Sequence, residues 1–167
     1  MIKKKILIAT GGTGGHIFPA LSLANYLNQR KEYDVQLSSD KRGLKYIEDN
    51  NFNLILITST PLIKKNIFKF FYSIVIIFFS TLRSLILLLF NRPSLIIGMG
   101  GYSSFPICVA AVILRIKLVI YENNLIIGKA NRYLMPFAKK IFVSYKEIEE
   151  ITKGNKKKII EIGNIIR

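Results

Sequence analysis

Short apolar runs alternate along the chain with longer stretches in which apolar residues recur at helical spacing. The runs are "KILIAT" (5–10), "DVQLSS" (34–39), "NLILIT" (53–58), "SLIIGM" (94–99), "KLVIYE" (117–122), "KIFVS" (140–144) and "KIIEIGN" (158–164). Each has the length of a strand, is rich in Ile, Leu and Val, and lacks clean polar alternation, as strands covered on both faces do. Between the first two runs, "FPALSLANYLNQR" (18–30) sets Leu21, Ala24 and Leu27 on one helical stripe. Pro19 falls in its first turn, where the missing N–H costs nothing. Strand alternating with helix predicts an α/β chain: one Rossmann-like domain over residues 1–167, with a parallel sheet of about seven strands and helices on both faces.

Ligands of such sheets gather beyond the carboxyl ends of the strands. "GGTGGH" (11–16) follows the first run, "GMGGYSSFP" (98–106) the fourth and "ENNLIIG" (122–128) the fifth, so three loops are expected to converge on one rim. Gly11, Gly12, Gly14 and Gly15 open a helix, whose free N–H groups and positive end suit a phosphate or sugar-phosphate. A dinucleotide fingerprint beginning at Gly12 fails at Ile17, where Gly or Ala is needed, although Asp40 at the end of the second run could bind a ribose. That leaves a nicotinamide-dinucleotide domain as a weaker alternative. A nucleoside triphosphatase loop is excluded, because no Gly-Lys-Ser/Thr follows the glycines. A lone histidine is more often a satisfied structural side chain. Set at a helix mouth after four glycines, with no bulky neighbour to cover it, His16 reads instead as a candidate general base. The helix end favours the neutral imidazole that a base requires.

"GGTGGHIFPALSLANYL", "GMGGYSSFP", "YENNLIIGKANRYL" and "EIGNIIR" run in order along the whole chain. Together they resemble the landmarks of the N-terminal domain of the MurG family. The resemblance implies the acceptor-side half of a GT-B glycosyltransferase, needing no cofactor. Its reaction would be the inverting transfer of GlcNAc from UDP-GlcNAc to the C4 hydroxyl of undecaprenyl-diphospho-muramoyl-pentapeptide, lipid I to lipid II in peptidoglycan synthesis. By position, Thr13, Gly14, Gly15, Asn124 and Arg167 would contact the donor. Gly100, Gly101, Tyr102 and Ser103 would hold the acceptor diphosphate, and His16 would be the base or orient the acceptor. The family's His-Glu-Gln-Asn run departs here, with Tyr121 for His and Asn123 for Gln, and Ile165 stands where proline is usual in "GNIIR". No Asp-x-Asp and no His/Cys cluster is present, so no metal is expected in this half.

"IFKFFYSIVIIFFSTLRSLILLLF" (67–90) is the most apolar stretch and is long enough to cross a bilayer. Arg83, Ser80, Thr81 and Ser84 interrupt its centre, and it sits between two sheet strands, so a span would tear the parallel crossover apart. The expected arrangement is a helix packed on the sheet by one face. Its other face, with Phe71, Ile74 and Phe78, would meet an anionic membrane flanked by Lys64, Lys65, Lys69 and Arg92. A fully buried core helix is the plainer alternative. The formal net charge of +15 fits that surface better than nucleic acid, for which no aromatic–basic motif is present. One cysteine, Cys108, and no signal peptide fit a reducing compartment, and the resemblance implies a peripheral place at the cytoplasmic face of the bacterial inner membrane. The resemblance implies a C-terminal donor domain outside these residues, supplied by a continuation of the gene or by a separate subunit, without which this half would be inactive or nearly so. A non-catalytic membrane module that binds a lipid-linked sugar or a nucleotide is the alternative of another class.

Overall fold

The computed structural model describes residues 3–47, 52–62, 66–149 and 151–165. Seven strands form one parallel sheet: β1 (Lys4–Ala9), β2 (Tyr33–Ser39), β3 (Asn53–Leu56), β4 (Leu95–Gly98), β5 (Lys117–Glu122), β6 (Lys140–Val143) and β7 (Ile159–Glu161). Their order is β3-β2-β1-β4-β5-β6-β7, so the direction of winding reverses between β1 and β4. There Ile6 pairs with Leu95 and Ala9 with Gly98. All seven apolar runs became strands. The outer two, β3 and β7, are only partly covered, because edge strands lack a neighbour on one side.

α1 (Gly14–Gln29) and α2 (Lys41–Ile47) bury Ile17, Ala20, Leu21, Ala24 and Ile47 against Ile6, Ile8, Val35 and Leu37 on one face. α3 (Ile67–Phe90), α4 (Phe105–Ile113) and α5 (Lys129–Leu134) cover the other face over Leu7, Ala9, Ile96, Leu118 and Ile120. α1 starts four residues before the expected stretch, because Gly14 and Gly15 already belong to its first turn. Among the described residues, no helix covers β4–β6 on the α1 face. An apolar hollow lies there, walled by Leu95, Ile97, Tyr121, Phe142 and Ile165. At its edge the Tyr121 hydroxyl pairs with Ser144 Oγ at 2.8 Å and accepts the Ile165 N–H at 3.1 Å, tying the last described residues to β5.

Among the described residues, α3 is the one helix long and apolar enough to cross a membrane. Its buried residues are Ser73, Ser80, Ser84 and Leu88, and the helix packs against α4. The buried hydroxyls are satisfied locally. Ser73 donates to the Lys69 and Pro61 carbonyls (2.8 and 3.0 Å), Ser84 to Ser80 (2.7 Å), and Ser80 to Thr58. Phe71, Ile74 and Phe78 point outward, 58%, 42% and 62% exposed. The fully buried core helix is thus corrected, since most of the large side chains of α3 lie on the surface. Lys64 and Lys65, named as flanking charges, lie outside the described residues.

Candidate functional site

β1, β4 and β5 are neighbours in the sheet, so the loops leaving their carboxyl ends share one rim. The first two loops touch. A Cβ on Gly11 would fall 1.7 Å from Ser103 Oγ, and one on Gly101 would fall 2.6 Å from the Gly11 carbonyl oxygen. The third loop is tied in by Asn123, whose Nδ2 donates to the Gly15 carbonyl at 2.9 Å.

His16 stands in the first turn of α1 after the N-cap Thr13, with its ring laid on the Gly100–Gly101 backbone. A Cβ on Gly100 would come within 3.0 Å of its Cε1 and 3.1 Å of its Nδ1. Both glycines hold positive φ, +87° and +76°, so close approach and left-handed backbone alike demand glycine. No bulky side chain was expected over His16, and it is this glycine backbone that covers one side of the ring. The ring is half-buried, and burial pushes the imidazole below its usual value of 6.5. The Glu122 carboxylate and the Met99 backbone pull it part of the way back. Nδ1 is buried without a hydrogen-bond partner among the described residues. A proton held on Nδ1 leaves the Nε2 lone pair free to accept another.

Glu122 is 1% exposed, and its carboxylate organises the third loop. Oε1 accepts the Asn124 backbone N–H (3.2 Å) and Nδ2 (2.7 Å); Oε2 accepts Gly128 N–H (2.9 Å) and Asn131 Nδ2 (3.0 Å). Asn131 Nδ2 also donates to the Tyr121 carbonyl at 3.0 Å, while its Oδ1 is buried with no partner among the described residues. One carboxylate thereby fixes Asn124 at the rim. Neither Asn123 nor Asn131 was singled out from the sequence as a site residue, although Asn131 follows Glu122 by nine positions in the loop and helix it braces.

On the other side of the glycine loop stands Asp40, also buried. Its Oδ1 accepts the Gly12, Arg42 and Gly43 N–H groups at 3.4, 3.2 and 3.1 Å, and its Oδ2 accepts Arg42 Nε and Nη2 at 2.9 and 2.6 Å. A carboxylate with both oxygens so engaged has no capacity left for a ribose, which corrects that reading of Asp40. Arg42 then stacks on the Tyr102 ring, 4.3 Å from its centroid.

The other expected residues fall as follows. Thr13 is exposed and its side chain makes no cap bond. Gly14 is pressed on the Phe18 ring, whereas Gly15 is open apart from Thr13. Tyr102 is half-buried at the rim. Ser103 is a correction: it is 1% exposed and its hydroxyl donates inward to the Thr10 carbonyl at 3.3 Å, so its side chain joins loops instead of facing the cleft. Arg167 lies outside the described residues.

Residues 6–143 match the glycosyltransferase family 28 N-terminal domain. A relative from Rickettsia felis, a UDP-N-acetylglucosamine–N-acetylmuramyl-(pentapeptide) pyrophosphoryl-undecaprenol N-acetylglucosamine transferase, is 39% identical over 98% of this chain and 44% of its own length. One of the same name from Pelagibacter ubique is 34% identical over 99% of this chain and 46% of its own. The chain therefore spans less than half the length of these curated relatives. Among solved structures, Acinetobacter baumannii MurG superposes with a TM-score of 0.77 at 23% identity, over 95% of this chain and 45% of that one. The UDP-GlcNAc 2-epimerase of Neisseria meningitidis, solved with UDP-GlcNAc, reaches 0.65 at 14% identity, over 96% of this chain and 47% of that one. Likeness at that level shares the fold between a transferase and an epimerase.

Proposed function

Because the chain belongs to the glycosyltransferase family 28 N-terminal domain family, we propose that it is the acceptor-side half of an inverting N-acetylglucosaminyltransferase. The donor is UDP-GlcNAc, and the acceptor is the C4 hydroxyl of undecaprenyl-diphospho-muramoyl-pentapeptide. A donor domain, continuous with this chain or separate, faces the rim. The names of the relatives support the substrates. The observation that carries the reading is the imidazole of His16, held low in pKa on the Gly100–Gly101 peptide where three strand-end loops meet.

In this reading Nε2 of His16 takes the proton of the C4 hydroxyl as its oxygen attacks C1 of GlcNAc and the C1–O bond to UDP breaks on the opposite face. UDP leaves with the electron pair. The neutral ring that burial favours is the form that can accept that proton. Thr13, Gly15 and Asn124 touch the donor across the cleft; Gly100, Gly101 and Tyr102 meet the acceptor diphosphate with backbone N–H groups and a ring edge. The outward face of α3 seats on the cytoplasmic leaflet. Phe71, Ile74 and Phe78 enter the acyl boundary while Lys69, Arg83 and Arg92 meet anionic headgroups, and the net charge of +15 adds long-range attraction. A helix tied at both ends into one parallel sheet lies on a membrane and does not cross it.

The test is transfer itself. The chain, joined to the C-terminal half of the Rickettsia felis relative, is given radiolabelled UDP-GlcNAc and lipid I in anionic vesicles. Labelled lipid II is expected. Release of free UDP and GlcNAc without lipid product, or no turnover by a fusion that binds both substrates, contradicts the assignment.

A further inference from the structure

Arg42 has no place in the chemistry described so far, yet it lies against the rim. Its Nε and Nη2 are spent on Asp40, and its plane rests on Tyr102. Nη2 also lies 3.0 Å from where a Cβ on Gly12 would stand, so the guanidinium borders the bare backbone of the glycine loop. The side chain is nonetheless 46% exposed, against 8% for Asp40, and Nη1 makes no hydrogen bond among the described residues. The fork is thus held on one edge and one face, with its remaining N–H groups unpaired among the described residues and the side chain still open to solvent. Asp40 does not cancel it, because Oδ1 is shared by three backbone N–H groups and part of the carboxylate charge is already met.

We propose that Arg42 is a cation of the cleft that binds a phosphoryl oxygen of the isoprenoid-linked diphosphate. This rests on the acceptor-side reading above and extends it to a residue outside the glycine motifs. An oriented guanidinium matches phosphate geometry and loses little freedom on binding. Its contact with Tyr102, which that reading sets at the acceptor diphosphate, and its place at the end of β2, with β1 and β4 between it and the Asn123–Asn124 loop, point to the lipid diphosphate and not to that of the nucleotide.

The test titrates this chain by calorimetry with geranyl diphosphate, UDP and geraniol, comparing wild type with Arg42→Gln and Arg42→Lys. Geranyl diphosphate should bind the Gln variant about tenfold or more weakly, as expected for one charge-assisted bond. The Lys variant, charged but without fork or stack, should fall between, and UDP and geraniol should bind all three alike. Unchanged geranyl diphosphate affinity in the Gln variant overturns the role of Arg42 and leaves the cleft reading intact. Loss of UDP binding instead reassigns the guanidinium to the donor and overturns the proposal. Failure of wild type to bind geranyl diphosphate removes both. Should the Gln variant not fold, the Nε–H resonance of Arg42 in wild type, assigned with the Lys variant, decides: it shifts on saturation with geranyl diphosphate if the proposal holds and stays put if it does not.

Discussion

Gly101 and His16 carry most of what the rim can do, and each makes a prediction of its own. Gly101→Ala forces a left-handed L-residue, a cost of about 1–2 kcal/mol, and drives a Cβ to 2.6 Å from the Gly11 carbonyl. Chemical denaturation should show at least that loss. Gly154→Ala, with nothing within 4 Å of its added methyl, should stay within about 0.5 kcal/mol of wild type or gain slightly. His16 gives a pH signature. Its folded-state value lies below the 6.5 of the unfolded chain, so below 6.5 the unfolded chain binds more protons and the fold weakens. Above that value the group contributes nothing to the pH dependence. Urea unfolding at pH 7.5 and pH 5.5 should therefore show a larger acid loss for wild type than for His16→Gln; equal losses would mean that the ring is not desolvated. Cys108, by contrast, plays no part. Its thiol is fully buried and pushed up to about 12 by desolvation.

At the scale of elements, α3 inverts the usual rule of sidedness. Its inward side carries three hydroxyls returned to nearby carbonyls beside the core contact of Leu88, and its outward side is aromatic and aliphatic. Replacing Phe71, Ile74 and Phe78 together with Ser should leave the melting temperature nearly unchanged while abolishing co-sedimentation with anionic vesicles. Ser84→Leu does the opposite. It crowds a fully buried position at about 1–3 kcal/mol without adding membrane affinity. Retained vesicle binding by the triple variant would show that another surface makes the contact. The strands and α1 were legible because apolar run length and Pro19 report burial and a helix start directly. The outward face of α3, with Phe71, Ile74 and Phe78, was legible too, but the serines that line its inward face were not. A buried serine is costly by itself, and only the folded chain shows the carbonyls that Ser73, Ser80 and Ser84 reach.

For the whole molecule, the sheet order decides where chemistry can gather. Placing β1 between β2 and β4 brings Asp40, Gly12 and Tyr102 to one side of the rim, with His16, Glu122 and Asn131 on the other. The glycines and the histidine declared themselves as motifs. The braces behind them (Asp40 with Arg42, Glu122 with Asn131, Asn123 with Gly15) did not, because each joins groups that are unremarkable in sequence and meaningful only once folded. Ser103 misled for the same reason: its motif sits at the rim while its hydroxyl turns inward. The most direct test of the account is kcat/KM for GlcNAc transfer by the joined enzyme with His16 and with His16→Ala, each checked for an unchanged fold. A loss of about a hundredfold or more, the range for removing a general base, is predicted. Turnover near that of wild type would contradict the claim that this imidazole takes the acceptor's proton.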